Sequence, residues 1–110
     1  MMISRALTHI RPGEEWILEG EKYAGLTWFS ETPKPTEAEI VRGWQEIAKD
    51  VAMEPIRNQR DKLLYSSDWT QIADAPVNAE AWAKYRQKLR DLPATVEDPT
   101  ATIVWPTPPA

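Results

Sequence analysis

The sequence predicts a mostly helical α+β chain, and three observations carry that expectation. Apolar residues recur at helical spacing in three separate stretches. Two short runs centred on Trp16 and Trp28 read as strands around a glycine-bounded loop. Five of the ten prolines lie from Pro93 onward, where no periodicity survives. The expected order is a short N-terminal helix, a two-stranded hairpin, a long helix kinked at Pro55, a loop, a second helix and an extended proline-rich tail.

Ile3, Ala6, Leu7 and Ile10 stand at i, i+3, i+4 and i+7, which predicts a helix over 3–10 ended by Pro12 and Gly13. Adjacent Ala6 and Leu7 spoil the alternation a strand would need. His9, the one histidine, lies off that stripe and reads as a surface residue, not as a base or ligand. Strands are expected over Glu15–Gly20 and Leu26–Phe29. A lone hairpin is not stable in water, so Trp16 and Trp28 are expected to pack it on a neighbouring helix.

Thr36 with Glu39 makes a capping box, which starts a helix at Glu37 with acids in its first turn. Ile40, Trp44, Ile47 and Val51 form one stripe along it. Beyond Pro55 a straight helix would carry Ile56, Leu63 and Leu64 to another side. A kink there, with these three packing on Trp82, Tyr85 and Leu89, is the favoured arrangement. Ser66 and Ser67 release the helix after Tyr65, and a loop follows around Asp68, Trp69, Asp74 and Pro76. Asn78 caps the next helix, expected over 79–92 with Trp82, Tyr85, Leu89 and Leu92 on one stripe and Pro93 as its stop. The organisation expected is thus 1–35 as helix plus hairpin, 36–93 as helix–loop–helix, and 94–110 as extended tail.

Composition narrows the function classes. The chain has 110 residues, a net charge of -4 and no cysteine. An acidic protein without clustered positive charge is not expected to bind nucleic acid. The absence of cysteine removes disulfides and thiolate metal sites and agrees with assembly in the cytoplasm. No apolar run is long enough to span a membrane. No phosphate-cradling glycine loop, HExxH or GxSxG is present. Asp68 and Asp74 read as turn and cap residues rather than as an acid–base pair. No catalytic residue, metal or cofactor is therefore expected, and the chain is read as a non-enzyme.

Six tryptophans among 110 residues point instead to contact surfaces, because Trp offers large area at low entropic cost. Trp69 lies in a loop that can present it to a partner. Arg86 borders the Trp82–Tyr85 stripe and can pair with Asp61 or Asp68. Ile103, Val104 and Trp105 form an apolar cluster in a proline-rich tail, suited to docking on a partner or back onto the chain's own helices.

The residues of the second half also carry a resemblance. RDKLL at 60–64, SDWTQIADAP at 67–76, AWAKYRQKLRDLP at 81–93 and VWP at 104–106 closely resemble the phage tail assembly chaperone proteins in a fixed order. The N-terminal half, with PKPTEAEI at 33–40, is similar to a module of other small phage tail proteins. The resemblance implies a bacteriophage late protein that binds a tail structural protein, the tail fibre above all, and assists its folding or attachment during virion assembly. Its place would be the host cytoplasm. The alternative is a minor structural component that stays in the finished tail fibre or baseplate. Partner contacts are assigned to Trp69, Arg86, Ile103, Val104 and Trp105.

Overall fold

The computed structural model describes residues 1–110, in two compact units, Met1–Val51 and Ala52–Ala110. The fold is α+β and mostly helical, as expected. Helix α1 spans Ile3–Ile10, strand β1 Trp16–Leu18, strand β2 Leu26–Trp28, helix α2 Glu37–Ser67 and helix α3 Ala79–Thr95. The division between the units falls within α2.

In the first unit α1 buries Ile3, Ala6 and Leu7, the stripe read from spacing. These join Leu26 and Ile40 in one core, with Ile10, Trp16, Leu18, Tyr23, Trp28 and Trp44 packed against it. Trp16 and Trp28 are therefore half-buried against this core, paired across the antiparallel hairpin in the register Trp16↔Trp28, Ile17↔Thr27, Leu18↔Leu26. A single 3-10 turn, Tyr23–Gly25, joins the strands. Gly25 is required there, because a Cβ would overlap the Glu19 carbonyl oxygen. Gly43 is required for a different reason: a Cβ would stand 2.5 Å from Cγ2 of Ile10.

Polar contacts fasten the connector before α2. The Tyr23 hydroxyl donates to the Pro35 carbonyl at 2.8 Å, and the Lys34 ammonium donates to the Leu26 carbonyl at 3.1 Å while lying over the Tyr23 ring. Thr36 caps α2 through the Glu39 amide at 3.2 Å. The Glu39 carboxylate accepts from Thr36 Oγ1 and, at 2.7 Å, from Arg11. His9 is exposed, with Nε2 3.0 Å from the Glu46 carboxylate. The Glu21 carboxyl is held below the usual glutamate range, chiefly because the Ser4 hydroxyl donates to it at 2.8 Å.

In the second unit α2 continues through Pro55 as one helix and buries Met53 and Ile56. Leu63 and Leu64 are half-buried. The helix runs to Ser67, two residues beyond Tyr65, and the serines close it rather than interrupt it. Ser66 Oγ donates to the Leu63 carbonyl at 3.1 Å, and Ser67 Oγ donates to the same carbonyl at 2.7 Å. Both hydroxyls bond back to a carbonyl of the preceding turn, the local side-chain bond that serine makes near helix ends.

Helix α3 starts where the sequence placed it, with the Asn78 side chain accepting from the Ala81 amide at 3.1 Å. Its end differs from the expectation. Pro93 lies inside the helix, which continues to Thr95. Proline's fixed φ is itself helical, so its cost is one missing amide and crowding of the preceding turn. Here that falls in the last turn, which closes when the Val96 amide donates to the Pro93 carbonyl. After Val96 the chain has no helix or strand, in keeping with the extended tail expected there.

Candidate functional site

The end of α2, the segment after it and the start of α3 converge on one side chain. Arg86, on α3, donates through Nη1 to the Leu64 carbonyl at 2.6 Å and to Ser67 Oγ at 2.7 Å. Its Nη2 donates to Asp68 Oδ1 at 2.7 Å. One planar guanidinium thus holds a helix C-terminus, its last hydroxyl and the first residue of the following segment. A positive charge is also favoured at the negative end of a helix. The Arg86 side chain is only 14% exposed, whereas that of Asp68 is 60% exposed. Of the two acids considered from sequence, Asp68 is the partner. Asp61 pairs with its neighbour Arg60.

The segment that Arg86 secures is structured. Asp68–Gln71 forms a 3-10 turn where the sequence reading placed irregular loop. Thr70 is wholly buried and donates to the Ser67 carbonyl at 2.6 Å. Gln71 reaches forward, donating through Nε2 to the Ala79 carbonyl at 3.2 Å. Sequence reasoning missed these anchors because Ser67 and Thr70 look like ordinary turn residues. Ser67 is met by the arginine 19 positions on, and no local pattern signals that contact.

Three aromatic rings pack beside this turn. Trp69 and Trp82 have centroids 6.4 Å apart at 50°, and Trp82 meets Tyr85 edge-on at 5.6 Å and 86°. Tyr85 and Leu89 are buried, Trp82 is half-buried, and Trp69 is 48% exposed. The stripe read from spacing on α3 is thus buried at Tyr85 and Leu89 and half-buried at Trp82 and Leu92, and Trp69 extends it from the turn into solvent. Tyr65, at 81% exposed, and Ile72 add apolar surface before and after Trp69 in the chain. Tyr65 stands nine residues after buried Ile56, about two and a half helical turns, so it points away from the buried face. The spacing alone carries that signal.

The tail residues occupy a separate place. Ile103 and Val104 line an open hollow of about 350 Å³ together with Leu92, Thr95, Val96 and residues 97, 98, 101 and 102. Asp98 shapes the turn into it, accepting from the amide and the hydroxyl of Thr100 at 2.9 and 2.6 Å. These two bonds hold the Asp98 carboxyl below the usual aspartate range, the hydroxyl contributing most. Ile103 and Trp105 are half-buried, and Val104 is 85% exposed. The five residues singled out from sequence therefore do not form one site. Trp69 and Arg86 belong to the aromatic turn, and Ile103, Val104 and Trp105 belong to the tail.

The fold and this surface define a small, mostly helical protein that displays aromatic side chains on a pinned turn. No helix is long and apolar enough to cross a membrane. Residues 53–110 match the family model described as phage tail assembly chaperone protein, and the chain belongs to that family. The matched region holds the arginine, the 3-10 turn, the aromatic rings and the tail. No curated protein and no solved structure matches the chain.

Proposed function

We propose that this phage tail assembly chaperone works by binding, without catalysing a reaction, and that its client is a tail structural protein, the tail fibre in the first place. The observation that carries this reading is the exposed Trp69 on a turn fixed by Arg86, with Tyr65 and Ile72 exposed on either side in sequence. Apolar side chains left in water on an ordered turn offer contact area whose ordering cost is already met by folding. An aggregation-prone surface on an unassembled fibre is the kind of surface such a group can cover. The tail supplies a second contact through Val104, which projects into solvent beside residues that rest on the chain's own surface.

The test is co-expression with the tail fibre protein of the same phage, scored as soluble fibre and as co-purified complex. Trp69→Ala is expected to lower complex recovery at least tenfold while the melting temperature stays nearly unchanged. Equal recovery with the variant would refute the assignment to Trp69. Failure of the wild-type protein to bind any co-expressed tail structural protein would refute the client class. Mass spectrometry of purified virions decides between a chaperone that leaves and the alternative, a minor component that stays in the tail.

A further inference from the structure

The hairpin of the first unit lies outside the family match, and its two edges differ. The Phe29 amide donates to the Glu15 carbonyl and the Glu19 amide to the Gly25 carbonyl. In an antiparallel pair such hydrogen-bonded positions alternate with positions whose amides and carbonyls point outward. The outward positions are therefore Trp16 and Leu18 on β1, and Leu26 and Trp28 on β2. The β2 edge is blunted at Leu26, whose carbonyl takes the Lys34 ammonium and whose amide donates to the Tyr23 carbonyl. A lysine over a strand edge is a recognised guard against further pairing. The backbone groups of Trp16 and Leu18 have no corresponding bond within the chain.

Side chains sharpen this difference. Trp16 and Leu18 face the core, so Glu15, Ile17 and Glu19 share the other face, and all three are exposed. From Glu14 to Glu31 the sequence holds five acids, Glu14, Glu15, Glu19, Glu21 and Glu31, against the single base Lys22.

We infer that the free edge of β1 accepts an extended segment of a partner protein as a third strand, with basic side chains opposite Glu15 and Glu19 and an apolar one opposite Ile17. Main-chain bonds at Trp16 and Leu18 supply the attraction, and the alternating side chains supply the selectivity. A second copy of this chain is a poor occupant. Antiparallel pairing of two β1 strands about Ile17 sets Glu15 of each copy opposite Glu19 of the other, and like charges directly opposite destabilise a pair. This surface is independent of the aromatic turn, so either can fail without the other.

The experiment uses the full chain and a blocked synthetic peptide carrying lysines two positions either side of a central valine. Binding is followed by amide chemical shifts and hydrogen exchange. The peptide is expected to shift and protect the Trp16 and Leu18 amides, and backbone N-methylation of the peptide is expected to abolish this. Glu15→Gln and Glu19→Gln are each expected to weaken binding by roughly 1.5- to 5-fold, as opposite-charge cross-strand pairs do. Unprotected Trp16 and Leu18 amides with the peptide at millimolar concentration would overturn the inference. So would concentration-dependent dimerisation through the same amides, or equal binding of a peptide with glutamates in place of the lysines.

Discussion

Removing the Arg86 side chain tests the architecture of the aromatic turn most directly. In Arg86→Ala the Leu64 carbonyl and the Ser67 hydroxyl each lose a charged donor, at 2.6 and 2.7 Å. Ser67 is buried and keeps its own donation to Leu63, so its loss is the acceptor half of its bonding. Hydrogen bonds to charged groups contribute about 1.5–3 kcal/mol each, and two that share one guanidinium are not additive. The Asp68 bond adds at most about 1 kcal/mol, because that carboxylate is mostly in water and screened. The expected cost is about 2–4 kcal/mol. Urea unfolding of Arg86→Ala, Asp68→Ala and the double variant measures it, with Asp68→Ala expected to cost less than about 1 kcal/mol. Arg86→Lys is expected to recover less than half of the loss, since one ammonium cannot reproduce the guanidinium's paired geometry. An Arg86→Ala cost below about 0.5 kcal/mol, or an equal cost for Asp68→Ala, would refute the view that Arg86 holds the turn chiefly through the end of α2.

Other expectations follow from particular contacts. Trp82→Ala should cost about 3 kcal/mol, the low end for a buried tryptophan, because Trp82 is only half-buried between Trp69 and Tyr85; a melting temperature equal to wild type would count against its packing role. Gly25→Ala should destabilise the first unit more than Gly13→Ala does, since its Cβ meets the Glu19 backbone whereas at Gly13 there is open space and only a positive φ to oppose it. Chemical denaturation of the two variants side by side checks the order. Deleting residues 97–110 leaves α3 and its closing bond intact but uncovers Leu92; a loss of about 1–2 kcal/mol is expected from the apolar area involved, together with weaker client binding. An unchanged melting temperature would mean that the tail makes no stabilising contact with the chain.

Much of this fold was legible because its elements bury one periodic face each. The stripe of Ile3, Ala6 and Leu7, the alternation around Trp16 and Trp28, and the Asn78 cap are local patterns, and local patterns specified α1, the hairpin and the start of α3. What was not legible depends on partners distant in sequence. The 3-10 turn at Asp68–Gln71 is held by Arg86, 18 positions from Asp68. A pairing with Asp68 or Asp61 was foreseeable from charge, but the bonds to a helix carbonyl and a buried serine were not. The misplaced end of α3 has another cause. Proline marks a stop in a sequence pattern, although in a last turn it forfeits one bond and can leave the helical path intact.

The same contacts connect stability with the proposed binding role. A tryptophan on a mobile loop would have to be ordered when a client docks, and fixing the backbone of a residue costs about 1–2 kcal/mol each. From Ser67 to Gln71 that cost is met within the folded protein, through Arg86, the buried Thr70 and the reach of Gln71 to Ala79. Loosening the turn should therefore weaken client binding even where Trp69 itself is untouched. Arg86→Ala separates this effect from simple unfolding if it is assayed well below its melting temperature. On this reading, the fraction that remains folded still binds less tightly than wild type, because its turn has regained freedom that docking must remove. Wild-type affinity in that folded fraction would mean that Trp69 acts through its exposed area alone and that the arginine serves stability only.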